Sequence, residues 1–485
     1  MCSLNACSCD FNDDITPKID AIQILNSDVC KKCRTNSTEI ILRRKDGYCT
    51  SCFLINTTHK FRAALGKSKI IHRGDTILIG HCGRDNSTAL LHLINSGMSE
   101  TTHKKIIFNV VIFFIDDGIV EGYTVNERKK MLDTISKQVK MFGFVGYTAS
   151  LQESLRENDV PNIYLMDDPE VVIDESDVIS NMLNNLADDS AREELLRQLR
   201  HRLLILAARK LECNKVFVAD CATNIAVNIL SDISLGRGAQ LSPDIDFSDT
   251  RYTDVMLLRP MKDFTKEEII HYLSCNKLNA VRSSKQNRTS LSTSIQSLTN
   301  KFISQLNTEF HGTVSTVFRT GGKLSTELLA CQNLEENSVC AMCNIPLDTK
   351  VTNNEISALQ ATTFSALLSS NNIDIDNTKV KANDLLNVNP EELTVQVNHS
   401  EENNQNEHND SNITNGKQCT WNIEEYKRFK TQSLSLNDIL KHLCYSCRLI
   451  FRSSDIKSIP SFVLNTIQTR LSHEIRPNEI TDLLL

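Results

Sequence analysis

Four Cys-x-x-Cys pairs limit what this 485-residue chain can fold into more than any other feature. The first two, Cys30/Cys33 and Cys49/Cys52, have 15 residues between them, a spacing typical of two thiolate knuckles that hold one tetrahedral zinc ion. Four cysteine ligands leave no open position for a substrate, so the pattern predicts a role in folding. An iron–sulfur cluster or free thiols are the alternatives. A RING-type module would need interleaved ligands, which this spacing lacks.

A second metal site is predicted from Cys340/Cys343 and Cys444/Cys447, although 100 residues lie between these pairs. Most of the intervening chain, residues 347–432, is rich in Asn, Glu, Asp and Ser, a composition that predicts a disordered insert. The two pairs can still share one metal, because the cost of closing a flexible loop rises slowly with its length. A redox-active or sulfur-carrying cysteine pair is the alternative.

Hydropathy predicts a cytoplasmic protein with no membrane contact. No stretch approaches the roughly 18 consecutive apolar residues that span a bilayer, and the N-terminus lacks the apolar region of a signal peptide. In a reducing compartment the 17 cysteines do not form a disulfide framework, which again favours metal binding.

Positive charge is concentrated in residues 30–73, which we call the basic head. This segment carries eleven Lys and Arg against Glu39 and Asp46, a local balance of +9 in a chain of net charge −7. Phosphate neutralisation is the main sequence-independent contribution to nucleic-acid affinity, so the basic head predicts contact with a polyanion. A solvated basic surface without a partner is the alternative.

Alternating strand and helix patterns predict an α/β domain with a mainly parallel sheet. Capping boxes at Ser190/Glu193 and Thr265/Glu268 predict the starts of two helices, and a further helix is expected over residues 57–66, ending at Gly66. The strand candidates are Ile77–Ile79, Ile106–Ile115, Ile163–Met166, Val216–Ala219 and Val255–Leu258.

Changes in composition divide the chain into six expected segments. A flexible tail, a four-cysteine zinc module with a basic helix and the α/β domain come first. A linker with the first C-terminal Cys pair, the insert and a C-terminal module with the second pair follow. Their bounds, in that order, are residues 1–29, 30–66, 67–280, 281–346, 347–432 and 433–485.

The segment from Gly80 to Ser87 has the strand–loop–helix order that presents backbone N–H groups and a helix N-terminus to phosphate. It is poor in glycine, and Arg84 stands where a backbone would need to approach an anion closely. An ordinary strand-to-helix turn is the alternative. Acids follow the next strand, at the end where open α/β sheets bind ligands. The candidate nucleotide-site residues are Gly80, Cys82, Gly83, Arg84, Asn86, Ser87, Asp116 and Asp117.

These segments resemble the PP-loop ATP-pyrophosphatase superfamily. Its consensus Ser-Gly-Gly-x-Asp-Ser falls on residues 82–87, where Gly83 and Ser87 match while Cys82, Arg84 and Asn86 depart from it. The superfamily's Ile-Asp-Glu-Gly-Ile…Gly-Tyr is similar to residues 115–123. Gly236-Arg237-Gly238 and Arg259-Pro260 match as well, whereas the acid pair expected within residues 219–224 is absent.

The two ends of the chain narrow the resemblance to the cytoplasmic tRNA 2-thiolation protein 2 family. The similar segments are Cys30-Lys31-Lys32-Cys33, residues 49–52, the run His59-Lys60-Phe61-Arg62-Ala63-Ala64-Leu65-Gly66-Lys67, and Leu443-Cys444-Tyr445-Ser446-Cys447.

This resemblance implies a Rossmann-like PP-loop domain with zinc modules near both ends, in a subunit of the complex that puts sulfur on the wobble uridine of tRNA. The implied partners are a catalytic paralogue (cytoplasmic tRNA 2-thiolation protein 1), tRNA and a thiocarboxylated ubiquitin-related modifier that donates sulfur. The tRNA-binding candidates are Lys31, Lys32, Arg34, Arg43, Arg44, Lys45, Lys60 and Arg62.

Arg84 and Asn86 argue against ATP turnover by this chain, which predicts a degenerate, non-catalytic subunit. Two alternatives stay open: an active ATP-dependent tRNA sulfurtransferase, and a zinc-dependent nucleic-acid-binding module without a modification role. Cys82 is expected to be a small, neutral side chain without a chemical role. The alternative is that its thiol carries sulfur.

Overall fold

The computed structural model describes residues 29–43, 45–99, 105–157, 159–168, 178–238, 241–282, 293–310, 312–324, 338–348, 362, 435–452 and 455–482. The tail predicted for residues 1–29, apart from Val29, lies outside the described residues. The same holds for Arg44 and for the insert predicted over residues 347–432, apart from residues 347, 348 and 362.

Strands and helices alternate through the middle of the chain. The strands are β1 Ile40–Leu42, β2 Asp46–Tyr48, β3 Thr76–Gly80, β4 Asn109–Asp116, β5 Val145–Ser150, β6 Tyr164–Leu165, β7 Lys215–Phe217, β8 Ser248–Asp249 and β9 Met256–Leu258. The helices are α1 Thr50–Ser68, α2 Asp85–Met98, α3 Val125–Met141, α4 Val178–Asn184, α5 Asp189–Lys210, α6 Ala222–Ser234, α7 Ser242–Ile245, α8 Lys266–Cys275, α9 Ile295–Glu309, α10 Thr313–Gly321, α11 Leu436–Lys441, α12 Tyr445–Phe451 and α13 Ser461–Asp482.

A seven-stranded sheet of order β6-β5-β4-β3-β7-β9-β8 forms the centre of the fold. The five inner strands, β5, β4, β3, β7 and β9, pair in parallel with their neighbours. The two edge strands, β6 and β8, pair antiparallel. The predicted fold class, α/β with a mainly parallel sheet, is confirmed. Strands β5 and β8 were not predicted, because neither contains an apolar run that distinguishes it from a loop.

Both faces of the sheet are buried, as expected of parallel strands covered by helices. Ile77 and Ile79 pack in one apolar cluster with Phe53 and Leu90 of α1 and α2. The intervening Leu78 packs on the other face with Leu203 of α5. Side chains alternate along a strand, so β3 contributes to both clusters and lies at the centre of the core.

Helix α1 begins within the second Cys-x-x-Cys pair. Cys49 is its N-cap residue, and a buried stripe recurs at every fourth position through Phe53, Thr57, Phe61 and Leu65. The predicted end at Gly66 is wrong, because the helix continues to Ser68 and the left-handed residue is Lys69, at φ 54°. The metal-binding segment and the basic helix are therefore one continuous element.

One of the two predicted capping boxes is correct. Thr265 and Glu268 cap α8 reciprocally. The Ser190/Glu193 box is wrong, because Asp188 caps α5 by accepting from the backbone N–H of Ala191.

Ser190 and Glu193 instead hold the start of another helix, α9. The Ser190 hydroxyl accepts from Ile295 N, and Glu193 accepts from the Ser294 hydroxyl. A segment expected to lie in a linker therefore forms helices, α9 and α10, of which α9 is attached to α5.

The C-terminal module packs against the first two-thirds of α5. Leu195 and Leu199 of α5 share an apolar cluster with Phe451, Phe462 and residues around the second cysteine set. Arg202 of α5 stacks on the Phe462 ring at 3.7 Å. Within the described part of the chain, no helix combines the length and apolarity needed to cross a membrane.

Candidate functional site

The N-terminal four-cysteine group lies between the β1–β2 hairpin and the start of α1. The Sγ atoms of Cys30, Cys33, Cys49 and Cys52 all lie within 4.8 Å of one another. Asn36 supports the group, because its backbone N–H donates to Cys33 Sγ and its amide donates to Cys49 Sγ. Hydrogen bonds, first from the Thr35 side chain, lower the pKa of Cys33 to about 6. Such donors stabilise the thiolate form that binds metal.

The C-terminal group gathers its four ligands in the same way. The Sγ atoms of Cys340, Cys343, Cys444 and Cys447 also lie within 4.8 Å of one another, and each residue is at most 2% exposed. The backbone bond from Ala341 N to His442 O joins the two pairs directly. The structure thus brings together pairs that are 100 residues apart in sequence.

Both groups fit a single tetrahedral ion. A metal–sulfur bond of about 2.3 Å in tetrahedral geometry separates two sulfurs by about 3.8 Å. The observed separations are 3.9 Å for Cys33–Cys49 and 3.6 Å for Cys343–Cys444. A four-iron cluster binds each thiolate to a different iron and holds the sulfurs farther apart. All four ligands are cysteines in each group, so the sites are closed to substrate.

The phosphate-loop segment, residues 80–87, joins β3 to α2. Gly83 has φ +74°, and a Cβ there would lie 3.2 Å from Ile135 Cδ1. Arg282 donates its backbone N–H to Gly83 O at 2.9 Å. The glycine is therefore required by its conformation, and the next segment of chain lies directly on the loop.

The polar side chains of this loop bond to one another and to the start of α6. Cys82 is exposed and lies 3.3 Å from the Ser87 hydroxyl. Ser87 donates to Arg84 O, and Asn86 donates its amide to Cys221 Sγ at 3.5 Å. The side chains that could bind an anion are thus used in holding the turn.

Charged side chains form a continuous network over the loop, which we call the loop ion-pair cluster. Arg84 pairs with Glu121 at 2.8 Å, and Glu121 also pairs with Arg282 at 2.6 Å. Arg282 and Arg200 both pair with Asp117, at 2.9 and 2.6 Å. The loop that would receive phosphate is therefore paired with carboxylates of its own chain.

The two aspartates that follow β4 have different neighbours. Asp116 accepts from Arg128 of α3, which is buried, and from Gly118 N. Burial alone would raise the pKa of Asp117, but Arg200 and Arg282 outweigh it and lower that pKa to about 2. Both carboxylates are engaged by arginines, which leaves little freedom to bind a metal–nucleotide complex.

Next to the loop, His81 is held as a neutral residue. It is 1% exposed, and its Nε2 lies 3.1 Å from Gln138 Oε1. Burial lowers its pKa to about 4. An uncharged imidazole adds no positive charge to attract phosphate at neutral pH.

The Gly236-Arg237-Gly238 segment contacts the C-terminal module. Gly236 has φ +76°, and a Cβ there would lie 2.5 Å from the Tyr445 ring. Arg237 is buried and pairs with Glu194 at 2.6 Å and Asp244 at 3.6 Å. This turn therefore links the sheet domain to the four-cysteine group at the end of the chain.

The predicted tRNA-binding residues are partly exposed and partly engaged. Lys31 pairs with Asp46, and Lys60 pairs with Glu268 while lying 4.9 Å from the centre of the Phe264 ring. Arg62 is half-buried. The exposed members are Lys31, Lys32, Arg34, Arg43 and Lys45.

Three residues central to the loop were not found from the sequence: Glu121, Arg200 and Arg282. Glu121 lies within the segment similar to the superfamily's second motif, but nothing in its spacing indicates a partner. Arg282 lies in a Ser/Thr/Asn-rich stretch that resembles a linker. Its partners are 165 and 161 positions away, so only the folded chain shows the pairing.

Comparison with known proteins gives consistent results. The family described as "Cytoplasmic tRNA 2-thiolation protein 2" matches residues 294–449. The protein of that name from Xenopus tropicalis is 29% identical, over 94% of each chain. That from Anopheles gambiae is 31% identical, over 71% of this chain and 80% of its own length.

Among solved structures, the U34-tRNA thiolase NcsA from Methanococcus maripaludis matches 64% of this chain and 91% of its own. Its TM-score is 0.47 and its sequence identity is 14%. A relative from Drosophila simulans is 31% identical, over 72% of this chain and 86% of its own length. Because relatives with 31% sequence identity cover more than two thirds of this chain, the chain belongs to the cytoplasmic tRNA 2-thiolation protein 2 family.

Proposed function

We propose that this chain is a non-catalytic subunit of the tRNA wobble-uridine 2-thiolation complex. It binds tRNA and supports a catalytic PP-loop paralogue, cytoplasmic tRNA 2-thiolation protein 1. That partner transfers sulfur from a thiocarboxylated ubiquitin-related modifier. The family relationship supports the pathway, and the observation that carries the non-catalytic assignment is the loop ion-pair cluster, which pairs Arg84 and Arg282 with carboxylates of the same chain. The relatives' names include the word cytoplasmic, in agreement with the expected location.

The ion-pair cluster works against nucleotide binding in two ways. Activation of uridine O2 by ATP needs backbone and cationic groups that stabilise a pyrophosphate leaving group. Here Arg84 replaces the second glycine of the consensus, and its guanidinium is directed to Glu121. The carboxylates of Glu121 and Asp117 would also repel phosphate at close range. ATP binding would have to break these pairs first.

The remaining features suit a binding and scaffolding role. The basic head carries the charge that neutralises RNA phosphates, and α1 connects its cysteine group directly to the sheet domain. We assign zinc to both four-cysteine groups, on the sulfur separations and the all-thiolate donor set. When bound, zinc stabilises the fold of the head and of the C-terminal module.

Mass spectrometry of tRNA nucleosides tests the pathway. Cells that lack this protein should lose wobble 2-thiouridine, and the intact gene should restore it. An unchanged level, with no redundant copy of the gene, would exclude a role in thiolation and favour the zinc-dependent binding module. Complementation with Cys82→Ala should restore the modification fully, because the thiol has no assigned role.

The catalytic assignment needs a second measurement. The isolated chain, given ATP and unmodified tRNA, should release no pyrophosphate above the level without enzyme. Release that depends on tRNA and is abolished by Asn86→Ala would identify this chain as an active sulfurtransferase instead. The same assay with the paralogue added gives the positive control.

A further inference from the structure

A groove of about 580 Å³ lies at the amino-terminal edge of the sheet, beside the last turns of α1. One side is a face of α1 formed by His59, Arg62, Ala63 and Gly66, which recur at intervals of three and four residues. The other sides are residues 71–73, before β3, and residues 105–108, before β4. The groove therefore lies where α1 passes the starts of the two central strands.

The charged residues that line this groove are cationic, while the Asp75 carboxylate lies just outside it, 3.9 Å from His72 Nδ1. Arg62, Arg73 and Lys105 line it together with two histidines, and no Asp or Glu is among the lining residues. In the described part of the chain, neither Arg73 nor Lys105 has a carboxylate partner. Arg73 and Lys105 are both exposed, and like charges on one concave surface raise the local concentration of anions, which favours an anionic ligand.

Small residues keep the groove open on the α1 side. A Cβ built at Gly66 meets no atom within 4 Å, and Ala63 is exposed. The floor is apolar, with Leu65, Ile71 and Phe108 among the lining residues. A cationic rim over an apolar floor suits a ribose–phosphate strand, whose phosphates pair with Arg and Lys.

The groove is remote from the phosphate-loop segment. It lies before the first residues of β3 and β4, whereas residues 80–87 follow the last residue of β3. Five residues of strand separate the two edges by roughly 15 Å. The lining residues of the groove and the residues of the loop therefore belong to two separate surfaces of the sheet domain.

We infer that this groove is a second RNA-binding surface, which holds the sugar–phosphate backbone of tRNA and lies along α1 from the exposed cations of residues 31–45 in the basic head. The inference rests on the proposed tRNA-binding function and adds His59, His72, Arg73 and Lys105 to the candidate contacts. The groove binds without sequence preference, because phosphate contacts fix position and carry no base information.

Binding of fluorescently labelled, unmodified tRNA to the full-length chain tests the inference. Gly66→Glu places a carboxylate in the groove without removing any residue, and Gly66→Gln is its matched neutral control. We expect Gly66→Glu to weaken binding about tenfold relative to Gly66→Gln at low salt. The difference should shrink as salt screens the charge.

Charge reversal gives an independent measurement. Arg73→Glu with Lys105→Glu should lower the slope of log affinity against log salt by about 1.5, as two lost phosphate contacts require. Lys129→Glu with Lys130→Glu makes the same charge change on exposed positions of α3 and should leave the slope unchanged.

The outcomes separate this inference from the proposed function. If the wild-type chain does not bind tRNA, both are wrong. If Lys31→Glu with Lys32→Glu weakens binding while both groove variants behave as their controls, only the groove assignment is wrong. Weakening by the groove variants alone supports the groove and excludes Lys31 and Lys32 as tRNA contacts.

Discussion

The Arg84 guanidinium lies 2.8 Å from the Glu121 carboxylate, across the turn at which a phosphate-binding loop would receive its ligand. In the resemblance to the PP-loop superfamily, Arg84 stands at a consensus glycine, and its partner lies in the segment similar to the second motif. The cation in this turn is therefore balanced by a carboxylate from the segment that follows the neighbouring strand, β4.

The two sides of this pair should differ in their effect on stability. Glu121→Gln leaves the buried Arg282 with Asp117 alone, and we expect it to lower the free energy of unfolding by about 2–3 kcal/mol. Arg84 is 45% exposed, so Arg84→Ala should cost at most about 1 kcal/mol. Urea unfolding at pH 7 measures both. Equal losses would show that Glu121 is not the centre of the cluster.

Acid should destabilise the protein through His81. Burial lowers its folded-state pKa from 6.5 to about 4, so between these values the unfolded chain binds a proton that the folded chain does not. Stability therefore falls as pH drops from 6.5 towards 4, by up to about 3 kcal/mol for this residue. His81→Gln should reduce the loss measured between pH 7 and pH 4.5 by about 2 kcal/mol, since the full effect needs a pH below 4.

Other groups do not hide this effect. His92 and His201 also have lowered pKa values through burial, and they are unchanged in the His81→Gln variant. The low pKa of Asp117 adds stability that is lost only below about pH 4, as the pH falls towards 2. A variant that loses as much stability as the wild type at pH 4.5 would contradict a buried neutral His81.

Metal analysis should find two ions per chain, one in each four-cysteine group. Cys52→Ser and Cys447→Ser should each remove one ion, and Cys275→Ser, outside both groups, should remove none. Cys447 is 0% exposed within an apolar cluster, so we expect its substitution to be the more damaging of the two to folding. Elemental mass spectrometry gives the counts. Loss of both ions from one variant would contradict independent sites.

The parts of the molecule predicted from sequence are those encoded locally. Strand β3 is a continuous apolar run, the capping box at Thr265 lies within four residues, and each Cys-x-x-Cys pair is visible without its partner. The Ser190/Glu193 box failed because the pattern gives the chemistry of a cap but not the helix to be capped. Asp188 caps the N-terminus of α5, whereas Ser190 and Glu193 accept hydrogen bonds from the first residues of α9.

What sequence could not supply is pairing across the fold. Strand β5 contains Gly146, Thr148 and Ser150, and it is a strand because β4 pairs with all six of its residues. Arg282 is an isolated basic residue in a polar segment until the fold places it on Asp117 and Glu121. The sequence identified the motif residues, but it did not reveal the loop ion-pair cluster in which Arg84 and Asp117 take part.

The contact between Gly236 and Tyr445 should prove to be a steric requirement for docking of the C-terminal module. Gly236→Ala imposes a left-handed conformation, which costs about 1–2 kcal/mol, and places a Cβ 2.5 Å from the Tyr445 ring. Gly143 is the matched control, since it has φ +74° and no atom within 4 Å of its Cβ position. Gly236→Ala should therefore be the more destabilising of the two.

A double-mutant cycle separates the two contributions. Tyr445→Ala removes the ring, so in that background Gly236→Ala should cost no more than Gly143→Ala, while the cost of Gly143→Ala should be the same with or without Tyr445. Thermal or urea unfolding of the metal-loaded chain measures each variant. Equal costs of Gly236→Ala in both backgrounds would mean that the module does not rest on this turn, and that its attachment comes from other contacts, such as those with α5 and the bonds from Asn344 to Arg251 O and from Ser461 to Leu155 O.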